Sequence, residues 1–493
     1  MTAKAVQSGR GAGRCRRVIS FARAVSSGWL FASLAVAQLA PGSRVADPGL
    51  SRWLAGEPVP RADQAAPVAT LYHFAANAVA LAAAAGELTA LQQRHAAQGL
   101  VTVVVVRVAD AAVEVPLGCR AAVDDAGRAR TALGLEPADE VALVDRAGRL
   151  GFRGELGLGV ADAVEQVLGG TLDFAATHGV MLLRRELPVS FDDAVAAPLR
   201  QSLQRALGQA PRDGLLHGLA YLTESTKAGD PAAAAVVLAA ALGRLQAEPR
   251  ALARCADLAL RGDPRASATV QQLLPALRAA AGVATADPVV QLALLRALVL
   301  AGEERETGRQ AMRLCKLATT TAATSLDFAS LLAMAPGAPA YLDLAQAAVA
   351  QAAAHGAERR LLLAARYGIA LRCAEDRAAA AAVLDEFAAD DPSRAMLNNA
   401  AWYLMTELPT LGRYDAFAAG LAERMLQQRE AMEAFEFDTA ALAMFQVGRC
   451  AEAVALQETA VQRAGPGSDH YSERLRRYRA ALPAAPPLPP APR

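Results

Sequence analysis

An α/β domain followed by an all-α solenoid of helical hairpins is the fold class this 493-residue chain predicts, and three observations carry it. The run LVTVVVVRV, starting at Leu100, is continuous and β-branched, as in a parallel strand buried on both faces. In the C-terminal half, turn signals recur at Gly229, Gly262, Gly302, Gly337, Ala374, Gly412 and Gly448. Their spacings of 33, 40, 35, 37, 38 and 36 residues match one helix-turn-helix unit each. Alanine is abundant while aromatic residues make up only 5%, which suits close-packed helix pairs better than a ring-filled β-sandwich. The length exceeds what one ordinary core supports, so at least two domains are expected.

Periodicity in the first domain gives a strand at ATLYHFA, a helix from Val79 to Gln98, and the branched strand. Further strands are expected at CRAAVD, EVALVDR and RLGFRG, before a helix at VADAVEQVLGG. A β-α-β unit followed by more strands and a helix makes a small sheet covered by helices.

The opening WLAGEPV, the strand-helix LYHFAANAVALAAAAGELTALQQRHAAQGLVTVVVV and the later VDDAGRARTALGL and VALVDRAGRLGFRGELG resemble the redoxin branch of the thioredoxin-like proteins. The resemblance spans residues 53–170 and implies a C-x-x-C where the first core strand meets its helix, since a helix N-terminus stabilises a thiolate. Here that window, Asn77 to Ala85, reads NAVALAAAA and holds no nucleophile. The family's cis-proline falls at Asp139, and a small gap would instead place Pro137 there. Cys119, the one cysteine in the domain, is expected to begin a strand as an inert thiol. Gly154, Gly157 and Gly159 fit neither G-x-G-x-x-G nor a P-loop and are read as a β-α turn.

The repeat region is expected over 191–482, after a linker at 171–190. Glycine at each turn ends one helix, and proline is tolerated at the start of the next. The unit FDTAALAMFQVGRCAEAVALQETAVQRAGP has Ala441, Gly448, Ala453 and Ala460 at positions resembling the tetratricopeptide consensus. DHYSERLRRYRAAL reads as a polar capping helix, and 483–493 as a proline-rich tail. MLNNAAWYLMTELPTLGRYDAFA resembles segments of exported bacterial proteins that join a redoxin domain to such repeats. In it Asn398, Asn399, Trp402 and Tyr403 are candidates to line a partner-binding groove, or else cap helix ends and fill the core.

Residues 1–46 contain seven Lys or Arg and no Asp or Glu around the apolar run WLFASLAVAQLA, the layout of a secretory signal. An exported protein of a bacterial envelope, periplasmic or extracellular, is therefore expected, with an organelle transit peptide as the alternative. No later segment is apolar for the length of a membrane span. A net charge of +1 without a basic face argues against nucleic acid. Six separate cysteines and six scattered histidines offer no C-x-x-C or ligand spacing, so neither metal nor cofactor is expected. With no catalytic residues named, the sequence points to a non-catalytic interaction protein binding a protein or peptide. A thiol-disulfide oxidoreductase or redoxin-type antioxidant protein is the alternative.

Overall fold

The computed structural model describes residues 39–50, 52–59, 67–75, 78–106, 114–124, 127–135, 140–186, 193–225, 231–262, 267–317, 321–389, 391, 393–407, 409–465 and 469–482. The signal segment up to Gln38, Asn77, Pro137, Asp139 and the proline-rich tail lie outside these residues.

A six-stranded mixed sheet forms the N-terminal domain. Its strands are β1 (Arg52–Ala55), β2 (Ala69–Ala75), β3 (Leu100–Val106), β4 (Arg120–Val123), β5 (Val141–Asp145) and β6 (Leu150–Gly154), in the spatial order β1-β4-β3-β2-β5-β6. β2, β3 and β4 run parallel, whereas β1, β5 and β6 pair antiparallel to their neighbours. Every residue of β2 is buried, as its central position requires. Helix α1 (Ala78–His95) is tied to β3 by Gln92, whose amide donates to the Leu100 carbonyl at 3.0 Å and accepts from Thr102 N–H at 2.7 Å. Two short helices, α2 (Arg128–Ala132) and α3 (Val160–Leu168), complete the domain. The expected strands and helices all form, and β1 is an addition.

Residues 42–45, within the expected leader, run along β6. Gly42 N–H donates to Leu150 O at 2.8 Å, Leu150 N–H to Ser43 O at 2.9 Å, and Val45 N–H to Gly148 O at 2.9 Å. Leu39, Val45 and Leu50 pack on one face of the sheet beside Tyr72 and Leu133.

The 171–190 stretch expected as a linker instead holds helix α4 (Phe174–Glu186). The helical region continues through α5 (Asp193–Gln209), α6 (Gly214–Ser225), α7 (Pro231–Leu245), α8 (Pro249–Gly262), α9 (Ser267–Val283), α10 (Pro288–Ala301) and α11 (Glu304–Cys315). It ends with α12 (Ala322–Met334), α13 (Leu342–Ala354), α14 (Arg359–Arg372), α15 (Arg377–Ala388), α16 (Arg394–Thr406), α17 (Asp415–Leu426), α18 (Ala434–Gln446), α19 (Cys450–Ala464) and α20 (Asp469–Ala480). Of the seven turn signals, Gly302, Gly337, Ala374, Gly412 and Gly448 each fall between the two helices of a packed pair, Gly262 is the last residue of α8 before α9, and Gly229 lies outside the described residues. α6, α8, α10, α12 and α14 pack successively on one another as an inner layer. No helix among the described residues is long and apolar enough to cross a membrane.

The stacking changes at α14, which packs against α17. The turn before α17 folds back on the early helices. Leu411, 1% exposed, joins the core built from α4 to α10, and Gly412 lies against Arg261 of α8. Gly412 has φ +65°, and a Cβ there would sit 2.9 Å from the Arg261 carbonyl oxygen, so both conformation and space demand glycine. α20 closes the array by stacking Tyr478, 1% exposed, on Phe445 at 4.5 Å.

The sheet domain and the helices also meet through backbone. Gly214 N–H donates to Gly157 O at 3.3 Å, and a Cβ on Gly214 would overlap the Ala251 carbonyl. Gly214→Ala should therefore lower stability by about 1–3 kcal/mol, as overpacking does. Gly86→Ala, on an exposed face of α1 with nothing within 4 Å of the new Cβ, should raise it by about 0.5–1 kcal/mol. Urea unfolding midpoints of the two variants check both signs.

Candidate functional site

The end of the sheet where the resemblance implies a redox centre is built from four chain ends. β2 hands over to α1 there, and because β5 is antiparallel to β2, and β6 to β5, Glu140 before β5 and Glu155 after β6 reach the same end. In place of a thiol, this end carries ions shared with the helical region. Arg250, in the first turn of α8 and 6% exposed, gives Nη1 to Glu140 Oε2 at 2.9 Å and Nε to Asp287 Oδ2 at 2.8 Å. Arg254, one turn on, pairs with Glu155. Asp287 is also the N-cap of α10, accepting Val289 N–H at 2.9 Å, so one carboxylate both caps a helix and holds the guanidinium.

Burial opposes the charge on Arg250, but Asp287, Glu140 and Glu87 outweigh it and hold the group above its ordinary value. Glu87 on α1 faces the same cluster. Burial pushes it up to about 7, against the pull of Arg250 and with Glu248, Asp287 and Glu140 adding repulsion. His73 of β2 is 3% exposed and neither ring nitrogen has a partner, and burial lowers it to about 4.

No cysteine lies within Ala78–Ala85, the described part of the expected redox window. Cys119 precedes β4, half-buried, and burial pushes its thiol up to about 11, so it is protonated near neutrality. The described cysteines form no disulfide with one another. Cys255, Cys373 and Cys450 are buried, and Cys315 is exposed at the end of α11.

The four candidate partner-binding residues share α16 and divide between adjacent stripes of it. Asn398 is buried with its Oδ1 unpartnered, and its amide reaches exposed Asn399 at 3.4 Å. Trp402 packs partly buried on the core beneath the Arg474 guanidinium, 5.2 Å from the ring centre. Tyr403 sits likewise beneath Arg360 at 3.9 Å. Trp402 and Tyr403 thus pack against the core, and none of the four lines the cavity described next.

That cavity, of about 250 Å³, opens where the C-terminal halves of α8, α10, α12 and α14 meet the end of α18 and the start of α17. Three arginines share two aspartates along its wall. Asp257 holds Arg261 and, at 2.9 Å, Arg296. Asp327 holds Arg296 at 2.7 Å and Arg413 at 3.0 Å. Arg296 is 2% exposed, and the convergence of helix C-termini, with their partial negative charge, favours cations here. Arg261 is nonetheless lowered to about 10, by burial and then by Arg413.

Two further charges face the space. Asp415, the first residue of α17, has an Oδ1 closed off from solvent without a hydrogen-bond partner. Burial raises the carboxyl to about 6, while Arg296 and Arg372 pull it down. Arg372, the last residue of α14, is exposed and makes no ion pair among the described residues. Sequence reasoning missed this cluster, whose only local trace is the GRYD turn carrying Arg413 and Asp415.

The ion cluster at the sheet end makes stability pH-dependent in two opposed ways. His73 has a folded pKa below its unfolded value, so its contribution is complete above about 6.5 and is lost as pH falls towards 4. Glu87 has a folded pKa above its unfolded value, so its contribution is complete below about 4.5 and is lost as pH rises through 7. Relative to the unaltered protein, His73→Gln should gain stability as pH falls from 6.5 to 4, and Glu87→Gln should gain as pH rises from 4.5 to 7, both read from denaturation midpoints across a pH series.

No family model matches this chain, and neither does any curated protein.

Proposed function

We propose that this chain is a non-catalytic interaction protein of a bacterial envelope, with a thioredoxin-like domain lacking its redox cysteines and a tetratricopeptide-like array that offers the binding surface for a protein or peptide. The observation that carries this reading is the Arg250 cluster. The sheet end that would hold a thiol and admit a disulfide substrate is packed against α8 and filled with paired charges. Dithiol exchange needs an accessible thiolate, and Cys119, the one cysteine described in the sheet domain, is half-buried, shifted upward and placed before β4, away from the end where β2 meets α1.

The arrangement of a parallel β-α-β unit continued by an antiparallel hairpin and a last helix supports the thioredoxin-like reading. Paired helices turning at the recurring signals that the structure describes, from Gly262 to Gly448, support the repeat reading. Stacked hairpins present surface contributed in strips by several units, which suits a protein or peptide partner. The fold alone confers no activity, so the argument rests on the site.

The full-length protein should neither reduce insulin disulfides nor consume peroxide through a thiol. Turnover that disappears in Cys119→Ser would establish the oxidoreductase alternative instead.

Export follows from the leader. Because residues 42–45 pair with β6, a cut that preserves the folded domain falls before Leu39, and the Ala35-Val36-Ala37 sequence supplies a small-residue site there. N-terminal sequencing of protein recovered from its own cells should begin at Gln38, and recovery of intact Met1 or Thr2 would refute export with cleavage.

A further inference from the structure

We propose that the cavity between α8, α14 and α17 binds a small apolar monocarboxylate, its carboxylate held by Arg296 and Arg372 and its hydrocarbon body lying against Leu300, Met334 and Phe417. This goes beyond the scaffold reading and does not depend on it.

Positive charge is in excess around this space. Arg261, Arg296 and Arg413 share two carboxylates, Asp257 and Asp327, which leaves one cation over. Arg372 lines the cavity as a second and makes no ion pair among the described residues, whereas Asp415 offsets one of the two at most. Donors are left over as well. Arg296 gives Nε to Asp257 and Nη2 to Asp327, and its Nη1 has no acceptor among the described residues. That nitrogen is not closed to solvent although the residue is only 2% exposed, so the opening it meets is the cavity it lines. At the start of α17, Tyr414 provides no side-chain cap. The N–H groups of Asp415 and Ala416, two residues of the cavity wall, donate to nothing among the described residues. Two guanidiniums and an uncapped helix start in one wall are donors that suit an anion.

Size and lining narrow the class. A cavity of about 150 Å³ holds benzene, so about 250 Å³ admits roughly ten non-hydrogen atoms. Apart from the arginines the wall is mostly apolar, with Leu260, Leu300, Met334, Phe417 and Val447, so the anion that fits carries a hydrocarbon body. The C-terminal halves of α8, α10, α12 and α14 add partial negative potential, and Asp415 adds to it. Both disfavour a dianion such as phosphate against a carboxylate, whose two oxygens match the planar guanidinium fork. Gly368 of α14 adds an independent sign. Glycine inside a helix is less stable than alanine. The nearest atom to a Cβ there is Ala333 Cβ at 3.9 Å, so packing does not demand glycine. Its absent side chain leaves the cavity open.

Isothermal titration of the full-length protein with isocaproate at neutral pH tests the proposal, alongside isocaproamide, its uncharged analogue, and inorganic phosphate. Isocaproate should bind at least about tenfold tighter than either, and Arg372→Gln, at an exposed position, should weaken it about tenfold or more. Gly368→Met, which fills the space without removing a charge, should abolish binding while circular dichroism remains unchanged. Absence of binding at about 10 mM isocaproate, equal binding of the amide or of phosphate, or an Arg372→Gln variant that binds as well as the unaltered protein would each overturn it.

Discussion

One buried guanidinium decides how this molecule is put together. Arg250 gives one face to Glu140 of the sheet domain and another to Asp287, the cap of a helix in the array. Removing Arg250 would leave the buried Asp287 carboxylate without its cation, which is far more costly than never having placed the charge there. The sheet domain and the inner helices are thereby fixed against each other, reinforced by Arg184, which is held by Asp213 and donates to the Leu158 carbonyl at 2.6 Å, and by Arg212 on Asp162. Asp213 repeats the double role of Asp287, since it also accepts Leu216 N–H at the start of α6. Capping aspartates thus anchor the junction at two places.

The same chemistry recurs inside the array with a different outcome. Charges among alanine-rich helices are expensive unless each lone pair finds a donor. The Arg261, Arg296 and Arg413 chain meets that condition, and the ends of several helices add favourable potential around it. Asp415 stands at the margin of this order.

Much of the architecture was legible because it depends on neighbours in sequence. The strand Ala69–Ala75 and the run from Leu100 announce themselves by composition, and the hairpin turns by their spacing. β1 escaped because four residues at a sheet edge, alternately exposed and half-buried, carry little pattern. α4 escaped because Gly169 and Gly170 before it read as the start of a linker. The ionic sites were invisible for a different reason. Arg250 and Glu140 are 110 residues apart, and Arg413 and Asp327 are 86 apart, so their meeting is a property of the tertiary fold alone. Within α16, Trp402 and Tyr403 attracted attention by residue type, while their use as platforms for arginines depends on α14 and α20 arriving beside them.

The returning turn before α17 bears on how such a chain can change over time. An open array of hairpins grows or shrinks by duplication or loss of a unit, because each unit meets only its neighbours. Here Leu411 is seated among α4 to α10 and Arg413 on Asp327 of α12. One hairpin more or fewer between α12 and α16 would carry both residues away from their seats, leaving a hole in the early core and an aspartate short of a cation. The number of repeats in this stretch is therefore fixed by geometry, and descendants of this chain are free to vary in length only outside the closed span, beyond α17 or in the surface turns.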